Sequence, residues 1–165
     1  MPKLQATRGA QYPLLGEFTL TYQNWVVDST DGAKRTFGST VANSTDPAEP
    51  LLNGAAAATV VFDGLLIPRG AVIVGGDVIV EQAYVGPTAA TLSVGISGSA
   101  NTLANAVDLK TAGRTALTLT SPLLLNDGQN IRLTLAYTVA NATAGKVRVR
   151  VLYTLDGRIH EAVTN

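Results

Sequence analysis

The sequence predicts an all-β chain folded as an antiparallel β-sandwich, and three observations carry that prediction. Apolar and polar residues alternate with period two in short segments rich in Val, Leu, Ile and Thr, as strands with one buried face require. Turn-forming residues separate these segments, with Asp-Gly pairs at Asp31-Gly32, Asp63-Gly64, Asp127-Gly128 and Asp156-Gly157 that supply positive backbone angles. The composition is apolar, 46% against 15% charged, in a chain of 165 residues, long enough to bury a sizeable core. About eight such strands favour a jelly roll among sandwich topologies.

In chain order, residues 1–16 lack strand periodicity and read as an N-terminal arm, in which Tyr12, Leu14 and Leu15 offer apolar side chains for docking on a neighbour. Residues 17–165 read as a single sandwich domain. EFTLTYQ places Phe18, Leu20 and Tyr22 on one face of a first strand. Trp25, the single tryptophan, is read as core or interface, with a sugar-stacking platform as the lesser alternative. Residues 38–50, GSTVANSTDPAEP, form a long polar surface loop with two prolines. Short helices are candidates at residues 51–58, where Gly54 interrupts an alanine run, and at 101–109.

IPRGAVIVGGDVIVEQAY, residues 67–84, changes rule at its centre: Ala71, Val72, Ile73 and Val74 are apolar on both faces, whereas alternation returns after the glycine pair. Gly75 and Gly76 predict a bulge, which shifts the residues that face the core. Either that shift accounts for the two-faced run, or a neighbouring subunit covers Ala71 and Ile73. Further strands follow in TLSVGIS (Leu92, Val94, Ile96) and TALTLT (Leu117, Leu119). IRLTLAYTV aligns Ile131, Leu133, Leu135, Tyr137 and Val139, and KVRVRVLYTL aligns Val147, Val149, Val151, Tyr153 and Leu155. The small, polar ANATAG between them predicts an antiparallel hairpin, and Asp156-Gly157 predicts another into RIHEAV.

Little in the sequence points to catalysis or cofactor binding. The single histidine, His160, lies in a predicted edge strand, and no nucleophile elbow, HExxH or phosphate-binding loop is present. Asp77 and Glu81 would lie roughly 13 Å apart along a straight strand, too far for a glycosidase pair. DSTDG, residues 28–32, lacks the ligand pattern of a calcium loop. No catalytic residue, cofactor or metal is therefore expected. With no cysteine, neither disulfides nor thiolate metal sites can form. Residues 1–18 contain no signal-like apolar run and no segment is long enough to span a bilayer, so a soluble chain made in a cytoplasm, with no membrane partner, is expected. Twelve basic and 12 acidic residues balance, which argues against nucleic-acid binding and favours association.

Lys146, Arg148 and Arg150 fall on one strand face, to which the predicted hairpin would add Arg132. Such a stripe is either a solvated face or a contact for acidic residues of another subunit. Tyr137 and Tyr153 point the other way, so the aromatic interleaving of a single-strand nucleic-acid platform is missing. Arg114, set among small residues, either caps a turn or pairs with Asp77 or Glu81.

Residues 65–120 resemble a group of tailed-phage head proteins described as decoration, cement or head-fibre proteins. The matching pieces are LLIPRGAVIVGGDVIVEQAY, ATLSVGIS and AGRTALTL, in that order, about a third of the chain. The chain departs from the family after Ser-Val-Gly, where Ile96 stands in place of a frequent acidic residue. The resemblance implies a non-enzymatic sandwich that binds the outer surface of an assembled phage head, often as a homotrimer, and clamps neighbouring major capsid protein subunits. Virion localisation follows from it. A carbohydrate- or receptor-binding jelly-roll module displayed on the virion, with a host-surface glycan as partner, is the alternative. The residues expected at a subunit interface are Arg69, Ala71, Ile73, Asp77, Glu81 and Arg114, and those expected to touch the capsid are Tyr12, Leu14, Leu15, Lys146, Arg148 and Arg150.

Overall fold

A computed structural model describes residues 12–38, 48–119, 123–125 and 129–155. Its strands are β1 (Leu14–Thr21), β2 (Trp25–Val27), β3 (Lys34–Thr36), β4 (Glu49–Pro50), β5 (Ala57–Ile67), β6 (Ala71–Val85), β7 (Ala89–Ile96), β8 (Ser99–Asp108), β9 (Gly113–Ala116), β10 (Leu123–Leu125), β11 (Gln129–Thr138) and β12 (Ala144–Leu155). No helix occurs among the described residues. One large sheet has the order β1-β12-β6-β10, with β9 also paired to β6, and the other has the order β5-β11-β7-β8. Every pairing in these two sheets is antiparallel. A small third sheet runs β2-β3-β4.

Alternation explains the packing. Val147, Val149 and Val151 of β12 and Val78 and Val80 of β6 point inward from one sheet, and Leu133 and Leu135 of β11, Leu92 and Val94 of β7 and Val60 and Phe62 of β5 from the other. These residues form one continuous core, and each such side chain stabilises the fold by about 1.5–3 kcal/mol. Tyr84 and Tyr137 meet inside it at 6.1 Å between ring centroids, and burial pushes both phenol pKa values up.

The ANATAG link does not close a hairpin. β11 lies between β5 and β7, and β12 lies between β1 and β6, so the link carries the chain from one sheet to the other. It is tied to its surroundings by Ala142 N donating to Phe37 O (3.1 Å) and Thr143 N donating to Val85 O (2.8 Å). Two strands facing each other across a core show the same alternation as two strands side by side, which is why the pattern did not distinguish them. Val139, expected inward, is 69% exposed because β11 ends at Thr138.

Both helix candidates are corrected. Residues 101–109 lie almost wholly within β8, where Ala106 has φ 48° and the register with β7 shifts. That irregularity buries Leu103, Ala104 and Val107, a spacing that imitates one face of a helix. In residues 51–58, Leu51 and Leu52 are buried, Asn53 and Gly54 turn with positive φ, and β5 begins at Ala57. The arm boundary also moves: residues 14–16 belong to β1, with Leu14 opposite Tyr153 and Leu15 opposite Leu152. The first 11 residues, most of the long loop (39–47) and the RIHEAV hairpin with His160 lie outside the described residues.

The glycine pair in β6 does mark a bulge. Ile73 is opposite Tyr153 and Gly75 is opposite Leu152, so Val74 is an extra residue on β6. Ala71 and Ile73 consequently point inward together with Val78 and Val80, and Asp77 and Ile79 belong to the outer face. This corrects the expectation that Ala71 and Ile73 form an outward subunit surface: they are 0% and 1% exposed, in the core of their own chain. Gly76 is held at φ 145°, and a Cβ there would fall on the Arg150 carbonyl oxygen and within 2.7 Å of Leu117 Cδ1. Gly76→Ala is expected to destabilise the fold by about 3 kcal/mol or more, combining backbone strain with overpacking. Urea denaturation, read as a lowered midpoint at unchanged slope, checks it.

Candidate functional site

The outer face of the β1-β12-β6 sheet carries the principal cluster of charged side chains. Alternation along β12 turns Lys146, Arg148 and Arg150 outward, and the bulge in β6 turns Asp77 to the same side, directly opposite Arg150. Glu17 of β1 is opposite Arg150 on the other edge of β12. Lys146 Nζ lies 2.7 Å from Glu81 Oε2, and Arg148 Nη2 bonds the other oxygen of Glu81. Arg148 also reaches Glu17, at 3.6 Å. The expected positive stripe is therefore neutralised within its own sheet. Arg132 is not part of it, because β11 lies in the other sheet, where Arg132 pairs with Asp63 at 3.1 Å.

Asp77 is the centre of the cluster. Arg150 clamps it with two hydrogen bonds, Nε to Oδ1 at 2.7 Å and Nη2 to Oδ2 at 2.6 Å, and Arg114 Nε donates to Oδ2 from β9. The Asp77 side chain is 2% exposed, whereas Arg150 and Arg114 are 34% and 64% exposed. Hydrogen bonds from Arg150 hold its carboxyl below the usual carboxylate range, against the opposing effect of burial, and Arg114 adds to the lowering. Lys146 and then Arg148 lower Glu81 in the same way. Of the two alternatives for Arg114, pairing with a carboxylate is the one found. Its two terminal nitrogens have no partner among the described residues.

Beside this pair a hollow of about 180 Å³ is lined by Leu15, Gly76, Asp77, Arg114, Arg150 and Leu152. Leu15 is 55% exposed and Val74, the bulged residue, 44%. The face thus combines an apolar end with a self-paired charged end whose outermost donor is Arg114.

Comparison with known proteins adds one finding. No family model and no curated protein matches the chain. Among solved structures it is similar to a chain described as "Cyanophage Pam1 capsid asymmetric unit", at 20% identity and TM-score 0.51, over 94% of this chain and 97% of that one. The likeness is one of fold.

The remaining expected residues are dispersed. Arg69 is exposed in the turn between β5 and β6, and Tyr12 is fully outside at the entrance to β1, while Leu14 is half-buried. Asp28 and Asp31 of the DSTDG run organise a turn, accepting from Thr30 N (2.9 Å) and Ala33 N (2.8 Å), and Asp31 pairs with Arg35. Trp25, expected in the core or an interface, is 51% exposed within the chain. Glu17 and Leu152 belong to the outer face without having been singled out from the sequence. Only their cross-strand register, fixed by the pairing of β1 with β12, brings them there.

Asp77→Ala is expected to leave Arg114 and Arg150 facing each other and to cost about 2 kcal/mol. This is below the ~3–5 kcal/mol of a fully buried pair, because both arginines reach water. Because the folded-state pKa of Asp77 is depressed, its stabilisation is present above the ordinary value of 3.8 and lost as pH falls through the lower folded-state value. Thermal melts of wild type and Asp77→Asn between pH 7 and 2 check this: the melting point of the wild type should fall more steeply below about pH 4.

Proposed function

We propose that the chain is a structural protein of a phage virion, a decoration or cement protein that binds the outer surface of the assembled head and bridges major capsid subunits. The observation that carries this reading is the fold likeness to a chain of the cyanophage Pam1 capsid asymmetric unit, which extends over nearly the whole length of both chains. The family resemblance of residues 65–120 supports it independently. The strand order supports the jelly-roll reading: β1-β12-β6-β10 against β5-β11-β7-β8 is the order that two interlocked Greek keys produce.

In this reading the outer face around Asp77 is the docking surface. Asp77 and Arg150 hold Arg114 in place, Arg114 meets a carboxylate or carbonyl of a capsid subunit, and Leu15 with Tyr12 covers apolar area beside it. Lys146 and Arg148, paired with Glu81 and Glu17, form a rim without net charge. A protein that binds the assembled lattice better than free subunits stabilises the lattice by linkage, and a homotrimer would multiply a modest affinity per site through avidity. The site of action would be the capsid exterior, after synthesis in the host cytoplasm.

Heads lacking the protein, mixed with purified chain, provide the test. Wild type is expected to sediment as a trimer, to label the heads and to raise their resistance to heat or chelator. Leu15→Asp and Arg114→Ala should weaken labelling by about tenfold or more, whereas Lys146→Ala should change it less than twofold. A stable monomer that leaves heads unlabelled overturns the reading, as does full labelling by both face variants.

A further inference from the structure

A second hollow, of about 460 Å³, opens between the small sheet and the middle of β5. Trp25, Val26, Val27 and Ser29 form one wall, and Phe62 and Asp63 form the other. Both walls are anchored. Ser29 N donates to Val61 O at 2.6 Å, Val26 packs against the core, and Phe62 is buried against Phe37 at 5.7 Å between ring centroids. The hollow is therefore preformed, and its volume falls in the range of about 300–1,000 Å³ typical of small-molecule sites.

Its chemistry is uneven in an informative way. The Trp25 indole is 51% and Val27 is 48% exposed, although burying a ring of this size is strongly favourable. Lys34 Nζ lies 5.1 Å from the indole centroid, a contact that orients the ring without burying it. At the opposite wall Asp63 accepts hydrogen bonds from Asn130 Nδ2 (2.9 Å) and Arg132 Nε (3.1 Å). Each carboxylate oxygen keeps further acceptor capacity, and the terminal guanidinium nitrogens of Arg132 keep donors. A flat apolar plate thus shares a preformed hollow with a carboxylate that is held in place from behind.

We propose that this hollow binds a pyranose ring of a neutral glycan, with the C–H face of the sugar on Trp25 and its hydroxyls on Asp63, which Arg132 and Asn130 hold in place. A sugar ring is the ligand class that presents a flat apolar face and a rim of hydroxyls that both donate and accept. An anionic sugar is disfavoured, because the Asp63 carboxylate lines the hollow and offsets the charge of Arg132. The site involves none of the residues of the Asp77 face, so it stands or falls separately from the capsid reading.

Because Trp25 is the only tryptophan, its fluorescence reports on this hollow alone. The full chain is titrated with glucose, galactose, mannose, N-acetylglucosamine and N-acetylgalactosamine and their oligomers, and applied to a glycan array. A saturable emission change with at least one neutral sugar is expected, together with array signal that falls at least about tenfold in Trp25→Ala and Asp63→Asn. Trp25→Phe, which keeps a smaller ring, should retain part of it. Melting temperature and head labelling are measured on the same variants and should stay near wild type. A silent titration up to about 100 mM with a blank array overturns the proposal. So does array signal that survives Trp25→Ala, or signal confined to acidic polysaccharides and lost in Lys34→Gln.

Discussion

One register shift in β6 decides what each face of the first sheet contains. Without the extra residue at Val74, strict alternation would turn Ala71 and Ile73 to the same side as Asp77 and Ile79, and that side could be neither core nor surface throughout. With the shift, a single 15-residue strand serves the core along its whole length and still delivers a carboxylate to the outer face. Gly76 makes this compatible with close approach to β12, since any side chain there would meet the backbone of Arg150. The clamp on Asp77 depends on that approach, because the same Arg150 supplies two of its three hydrogen bonds.

The residues that face the core were legible in the sequence wherever a strand is regular. Val147, Val149, Val151, Ile131, Leu133, Leu135 and Tyr137 are all 0% exposed, as period two requires. What the period does not encode is which strand edge meets which, so β11 and β12 read as a hairpin although they belong to different sheets. Bulges defeat it in another way: at Ala106 the extra residue produced a helix-like spacing, and at Val74 it made core residues look like an outer surface. The Arg114–Asp77 pair was among the sequence alternatives because both residues are isolated charges in apolar surroundings. The closure of Lys146 and Arg148 on Glu81 was not, since those partners are more than 60 residues apart and meet only through the register of β12 with β6.

The two candidate surfaces follow from different exceptions to that economy of burial. On the outer face of the first sheet nearly every charge has an internal partner, so what remains for a neighbour is the outer rim of Arg114 and the apolar step at Leu15 and Val74. Near the small sheet the exception is an aromatic ring left half in water beside a hollow that the Asp63 carboxylate also lines. The first is broad, as the proposed docking on a protein surface requires, and the second is concave, as the proposed seat of a small ring requires. They are built on different sheets, which allows one to be occupied while the other remains accessible.

The antiparallel pairing of β1 with β12 has a practical consequence. Leu14 at the start of β1 lies opposite Tyr153 near the end of β12, so the chain enters and leaves the sandwich at one corner. That corner adjoins Leu15, at the apolar edge of the proposed docking face. A tag inserted at the exposed Asp31-Gly32 turn, which joins strands of the small sheet, would sit on a different sheet from that face and leave it clear.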